Sequence, residues 1–137
     1  MTSEREFDRL PPQNIEAEQA VLGAVLLDSV TLVTVMETLR PEDFYREGHR
    51  LIYESMIDLN EENEPIDLIT LTTRLQSKQQ LEEVGGVQYL TQLASAVPTA
   101  ANVQYYARIV AEKAMMRKLI RTATEIVSGG YSGAEDV

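Results

Sequence analysis

The feature that most constrains the fold is a stretch from residue 102 to residue 128 that contains neither glycine nor proline. Asn102 can cap a helix at its start, and the 26 residues that follow the cap would form a helix of about 39 Å. A helix of that length extends beyond the head that the rest of a 137-residue chain can build. The stretch therefore predicts a long helix that projects from a compact head.

Apolar side chains recur along this predicted helix in a near-heptad pattern, at steps of three, four and seven residues. One small head cannot bury all of them, so part of this stripe should contact a second helix or another chain. We therefore interpret these side chains as a candidate protein–protein interface. The residues at this spacing are Tyr105, Ile109, Met116, Leu119, Ala123 and Ile126, and Ile120, next to Leu119, completes the candidate interface.

Shorter helices are predicted in the first half of the chain. Asn14 can cap a helix whose first turn carries Glu16 and Glu18, where carboxylates suit the positive end of the helix dipole. Asp28 or Ser29 can cap a second helix, and Pro41 is well placed at the first position of a third. The fold class that follows is all-α.

Further on, Asp67 can cap another helix, and Gly85–Gly86 predict a turn before the chain resumes a helix that Pro98 ends. The sequence thus predicts a mobile arm at residues 1–9, a helical head at 10–98, and the long helix with its end at 99–137. Ten apolar residues at helical spacing should form the core of the head, where Leu→Ala should cost about 2–5 kcal/mol. They are Leu22, Leu26, Phe44, Ile52, Met56, Leu71, Leu75, Tyr89, Leu90 and Leu93.

Composition excludes several classes of protein. Cysteine is absent, which rules out disulfides and thiolate zinc sites. The net charge of −10, from 22 acidic and 12 basic residues, should repel nucleic acid. No apolar run approaches the length of about 18 residues that a membrane span needs, and the N-terminus lacks a signal-peptide core. We expect a soluble, cytoplasmic protein with no membrane partner.

Catalytic signatures are missing from the sequence. There is no G-x-x-x-x-G-K-[ST] loop to hold the phosphates of ATP. His49 is the only histidine and has no second metal ligand at a suitable spacing, so a structural role is expected and a metal hydrolase is the enzymatic alternative. The carboxylates from Asp58 to Glu64 lack the spacing of a calcium loop. We therefore expect no catalytic residue, metal or cofactor in this chain.

The long helix also carries a run of basic side chains. They are Arg108, Lys113, Arg117, Lys118 and Arg121. No aromatic residues are interleaved with them for base stacking, so a solvated face is expected. Docking to an acidic partner surface is the alternative.

Four segments, taken in order, resemble the N-terminal region of DnaB-type replicative helicases over about Leu10 to Ser128. They are PPQNIEAEQAVLGAVLLD, FYREGHRLIYESMIDLNEENEPIDLITLTTRL, VGGVQYLTQL and VPTAANVQYYARIVAEKAMMRKLI. The resemblance implies that the long helix is the first arm of a helical hairpin with its bend at Gly129–Gly130. The second arm, from near Glu135, and the RecA-like ATPase domain would be absent from this chain.

The resemblance also implies a function. In that family the N-terminal domains form a collar, a trimer of dimers in the hexameric ring, which binds primase and can receive the helicase loader. ATP, magnesium and single-stranded DNA would be handled only by the motor and the complete ring. We therefore expect a non-catalytic assembly and docking domain. A free-standing helical adaptor and the similarly folded helicase-binding domain of primase are the alternatives.

Overall fold

The structure, a computed structural model, describes residues 10–136, with side chains to residue 133. Every regular element among these residues is helical, which confirms the all-α prediction. The arm predicted at residues 1–9 lies outside the described residues. The elements are α1 (Ile15–Leu27), α2 (Thr31–Thr38), a 3₁₀ turn (Pro41–Asp43), α3 (Glu47–Glu61), α4 (Leu68–Ser77), α5 (Leu81–Val84), α6 (Gly86–Ala94) and α7 (Val103–Asp136).

Local signals place most of the helix ends where the sequence predicts them. The Asn14 side chain accepts a hydrogen bond from the backbone N–H of Ala17 at 3.0 Å. The Asp67 side chain accepts one from the backbone N–H of Thr70 at 2.9 Å, and the hydroxyl of Thr70 donates to the backbone carbonyl of Asp67. Gly85 has a φ of 113°, a left-handed conformation that separates α5 from α6. The two predicted caps and the predicted turn are confirmed.

The helix predicted from Pro41 differs from the observed structure. Pro41 begins only a 3₁₀ turn, Phe44 is extended, and the α-helix begins at Glu47. The reason is tertiary: Phe44 is fully buried, and the backbone N–H of Tyr45 donates to the buried carboxylate of Glu18. These contacts hold the chain out of a continuous helix.

The core is built around α1, which packs against α2, α3, α6 and α7. Eight of the ten predicted core residues are buried. Leu26 and Tyr89 are only half-buried and pack against the core from its edge. At Gly23 the helices approach closely, because a Cβ there would lie 2.4 Å from the carbonyl oxygen of Leu93. Glycine is therefore required at this crossing of α1 with the end of α6.

Helix α7 belongs partly to the head. Val103, Ala107 and Val110 are buried in the core, so the compact unit continues past residue 98. The helix has 34 residues, about 51 Å. The bend predicted at Gly129–Gly130 is wrong for the described structure, since the helix continues to Asp136. Glycine costs about 1 kcal/mol relative to alanine in a helix but keeps its backbone hydrogen bonds, so two glycines weaken a helix without breaking it.

Candidate protein-interaction surface

Helix α7 leaves the head after Arg117. Its head-facing side is formed by Val103, Ala107, Val110 and Arg117, which follow one another at steps of four, three and seven residues. Every residue from 118 to 133 is exposed. Among the described residues, the second half of α7 thus has no partner element to cover it.

The predicted interface residues lie mainly on this uncovered part of α7. Six are exposed, and Ile109 alone packs against the edge of the core. The exposed fractions are 60% for Tyr105, 45% for Met116, 61% for Leu119, 53% for Ile120 and 68% for Ile126, with Ala123 also exposed. Exposed apolar side chains at this density favour burial against another helix.

The apolar stripe extends beyond the residues that the sequence indicated. Val127 and Tyr131 are 56% and 72% exposed, and they follow Ile120 on one side of α7 at steps of seven and four residues. Tyr131 was missed because a bend was expected at Gly129–Gly130, whereas Val127 lies before that bend and was left out of the predicted stripe. Continuing the same heptad spacing through the glycines would have found them.

Arg117 anchors the point where α7 leaves the head. One of its terminal nitrogens donates to the carbonyl of Pro12 and the other to the carbonyl of Asp43, both at 2.7 Å. Its guanidinium carbon lies 5.4 Å from the centre of the Tyr45 ring. Burial lowers the pKa of Arg117; the nearby charge of Glu18 opposes this shift. The solvated face predicted for the basic run is therefore wrong at this residue, which is buried.

A buried polar network lies behind this anchor and ties three helices together. Glu18 of α1 accepts hydrogen bonds from the backbone N–H of Tyr45 and from Nδ1 of His49, each at 2.7 Å. Nε2 of His49 contacts the hydroxyl of Tyr89, which also accepts from Gln19 at 3.1 Å and from Arg46. With its lone pairs occupied in this way, the hydroxyl must donate to Nε2, so the Nδ1 proton of His49 faces Glu18.

This network gives His49 a structural role. The imidazole is fully buried and both ring nitrogens are hydrogen-bonded, so no position is open to a substrate. In the described part of the chain no three His, Asp or Glu side chains come together as metal ligands. From the sequence, Glu18 was expected only to interact with the positive end of the helix dipole. Its neighbours Ala17 and Val21 on the buried face of α1 were the signal that could have indicated its burial.

Taken together, a helical head with a half-uncovered apolar helix is typical of a protein-interaction domain. Among residues 10–136, no helix combines the length and the apolar character needed to cross a membrane. The model of the DnaB-like helicase N-terminal domain family matches residues 10–112. The chain belongs to this family.

Sequence identity to replicative DNA helicases supports this assignment. The chain is 56% identical over 135 residues to the replicative DNA helicase DnaB of Geobacillus stearothermophilus, covering 98% of this chain and 30% of the relative. It is 55% identical over 130 residues to the replicative DNA helicase DnaC of Bacillus subtilis, covering 95% and 29%. The chain thus spans about 30% of the length of these relatives.

Solved structures show the same fold. The N-terminal domain of the DnaB helicase from Mycobacterium tuberculosis is 47% identical in sequence and superposes with a TM-score of 0.88. The match covers 93% of this chain and 89% of that chain. The corresponding domain from Helicobacter pylori, described together with its interactions with primase, is 26% identical with a TM-score of 0.74, covering 85% and 90%. A DnaB-like replicative helicase, also described with its primase interactions, is 32% identical with a TM-score of 0.74, covering 85% and 27%.

Proposed function

We propose that this chain acts as the non-catalytic N-terminal domain of a hexameric replicative DNA helicase, in which α7 pairs neighbouring subunits. The observation that carries the proposal is the apolar stripe that stays exposed beyond Arg117. A helix with such a stripe is stabilised by packing against a second helix, as in a coiled coil. Family membership supplies the context, and the chain length, about 30% of its relatives, leaves ATP and magnesium to the remainder of a full-length helicase.

The energetics of the stripe support pairing. Burying one isoleucine, leucine or methionine side chain contributes about 1.5–3 kcal/mol. Met116, Leu119, Ile120 and Ile126 are each about half exposed or more in the single chain. In a symmetric pair each of these positions contributes twice, once from each chain, so their full burial is of the same order as the cost of association, about 4–15 kcal/mol.

The proposed partners follow from the same surface. Paired α7 helices would organise the domains as a trimer of dimers, and the resulting collar would dock the helicase-binding domain of primase and receive the helicase loader. Two structural neighbours described with primase interactions support the primase assignment. The net charge of −10 supports a domain that does not bind single-stranded DNA by itself and meets it only through the complete ring. The ring would act in the cytoplasm.

Two alternatives from the sequence are less well supported. A free-standing adaptor would not be expected to share 56% identity with part of a replicative helicase three times its length. The helicase-binding domain of primase has a similar architecture, but the relatives that match over nearly all of this chain are named replicative DNA helicases. These names favour the helicase side of the contact.

The decisive experiment replaces the stripe residues in the full-length helicase, with Ile120→Asn and Ile126→Asn made together. Hexamer mass from light scattering, primase affinity and primase-stimulated unwinding should each fall, and subunit pairing or primase binding should weaken about tenfold or more. The matched control is Ile69→Asn, because Ile69 is 78% exposed on α4, away from the stripe.

The head should fold normally in both proteins, because all three isoleucines are outside the core. An unchanged thermal melt of the 137-residue chain checks this. The proposal would be overturned if the Ile120→Asn, Ile126→Asn protein kept the wild-type hexamer mass, primase affinity and unwinding activity. That result would show that α7 is only a spacer.

A further inference from the structure

A groove of about 620 Å³ lies at the base of α7, on the side of Arg117 that faces the start of the described chain. We refer to it as the basic groove. Three arginines line it, Arg50, Arg117 and Arg121, and its apolar walls include Pro12, Tyr45 and Ile120. No Asp or Glu among the described residues lines it.

Among the described residues, the arginines of the basic groove donate mainly to backbone carbonyls. Arg117 donates to two backbone carbonyls, and Nε of Arg50 donates to the carbonyl of Phe44 at 2.7 Å. In the described part of the chain, the one carboxylate contact of these arginines is from Arg50 to the exposed Glu47 at 3.4 Å. Within residues 10–133, no carboxylate lies within 4.0 Å of the charged nitrogens of Arg117 or Arg121.

Positive charge continues on the other side of Arg117. A second cavity of about 650 Å³ is lined by the same three arginines together with Arg40 and Lys118. Five cations therefore converge at the base of α7 in a chain whose net charge is −10. Such a local reversal of the field attracts a carboxylate and raises the rate of its encounter with the surface.

Two carboxylates, Glu42 and Asp43, belong to the second cavity but not to the basic groove. Asp43 is already engaged, since its Oδ2 accepts a hydrogen bond from the backbone N–H of Arg40 at 2.8 Å. The side chains lining the two cavities therefore carry the same net positive charge. The basic groove differs in that no described carboxylate lines it and in that its lining includes two prolines, a tyrosine and an isoleucine.

The apolar walls identify the class of ligand. Ile120 is 53% exposed at the rim, and one face of the Tyr45 ring is covered by Arg117 rather than free to stack on a base. A nucleic acid would meet the repulsion of the whole acidic chain along its length, whereas a protein segment with one or two carboxylates would meet mainly the local arginines.

We propose that the basic groove docks an acidic segment of a partner protein. A carboxylate of that segment pairs with Arg121 at the rim, and a neighbouring apolar side chain packs between Pro12, Tyr45 and Ile120. The basic groove and the apolar stripe share Ile120 at the rim of the groove. They differ in what they recognise, because binding of an acidic segment rests on arginines that are outside the stripe, so Arg121→Glu tests the groove without removing an apolar side chain of the stripe.

The test uses a random peptide library displayed on phage and the 137-residue chain as bait. The bait is compared with Arg121→Glu and with a matched control, Arg108→Glu. Arg108 is an exposed arginine on the same helix that lines neither cavity. Selected peptides should carry Asp or Glu beside Leu, Phe or Tyr, and the selection should be lost with Arg121→Glu but kept with Arg108→Glu.

Fluorescence anisotropy with a labelled selected peptide should then give a dissociation constant about tenfold higher for Arg121→Glu than for the wild-type chain and for Arg108→Glu. When the peptide is added, the largest chemical-shift changes among the backbone amide signals of the chain should be at and around Tyr45 and Ile120. Selected peptides without acidic residues, or equal binding by the Arg121→Glu chain, would overturn the proposal. So would tighter, Arg121-dependent binding of labelled single-stranded DNA, which would make nucleic acid the ligand.

Discussion

The buried carboxylate of Glu18 provides the sharpest test of how the head is held together. Replacing it by glutamine keeps the shape of the side chain but leaves a single acceptor oxygen. The carboxylate accepts from the backbone N–H groups of Tyr45 and Arg46, at 2.7 and 3.4 Å, and from Nδ1 of His49 at 2.7 Å. In either orientation of the glutamine, its NH₂ group would face one of these donors.

The expected cost follows from the lost bonds. A hydrogen bond to a charged group contributes about 1.5–3 kcal/mol, and a buried donor left without a partner costs about 1–3 kcal/mol. Because the Glu18 side chain is only 2% exposed, water cannot replace the carboxylate. Glu18→Gln should therefore lower the free energy of unfolding by about 2–4 kcal/mol, which corresponds to a fall in melting temperature of about 8–16 °C.

Circular-dichroism melts and urea titrations of the 137-residue chain measure this change. The control is Glu16→Gln, since Glu16 is exposed in the same first turn of α1 and should change stability by no more than about 0.5 kcal/mol. A Glu18→Gln chain as stable as the Glu16→Gln chain would refute the view that this network holds α1 against α3.

A second substitution tests the proton arrangement in the network. Tyr89→Phe removes the hydroxyl that contacts Nε2 of His49. With glutamine at position 18, His49 can then carry its proton on Nε2 and accept from the amide on Nδ1. The costs of Glu18→Gln and Tyr89→Phe should therefore be less than additive, whereas simple additivity would contradict the assigned positions of the protons.

Three other predictions concern packing and charge. Leu90→Ala should cost about 2–5 kcal/mol in urea unfolding, because Leu90 is fully buried; a surface-like effect would contradict the helix phasing. Gly23→Ala should destabilise the chain by about 1–3 kcal/mol through its contact with the Leu93 carbonyl, whereas Gly133→Ala, with nothing within 4 Å, should not; equal melts would refute the close crossing. Single-stranded DNA should bind the chain negligibly at physiological salt, and sub-micromolar, salt-sensitive anisotropy changes would contradict this.

The sequence alone determined the features that depend on near neighbours. The caps Asn14 and Asp67 were predictable because each bonds to an N–H three residues further on. The turn at Gly85–Gly86 was predictable because the positive φ angles there suit glycine. The periodicity of apolar residues likewise indicated eight of the core residues and the exposed stripe of α7, since a helix repeats its faces every few residues.

The tertiary structure decided what becomes of individual charged residues and of the weak helix positions. His49 meets Glu18 across 31 residues of sequence, and Arg117 meets the Pro12 carbonyl across 105. Local spacing carries no information about such contacts, so a carboxylate and a guanidinium that appear to be solvated become buried anchors. The same limit applies at Gly129–Gly130, where a helix propensity lowered by about 1 kcal/mol per glycine does not by itself choose between a bend and a continuous helix.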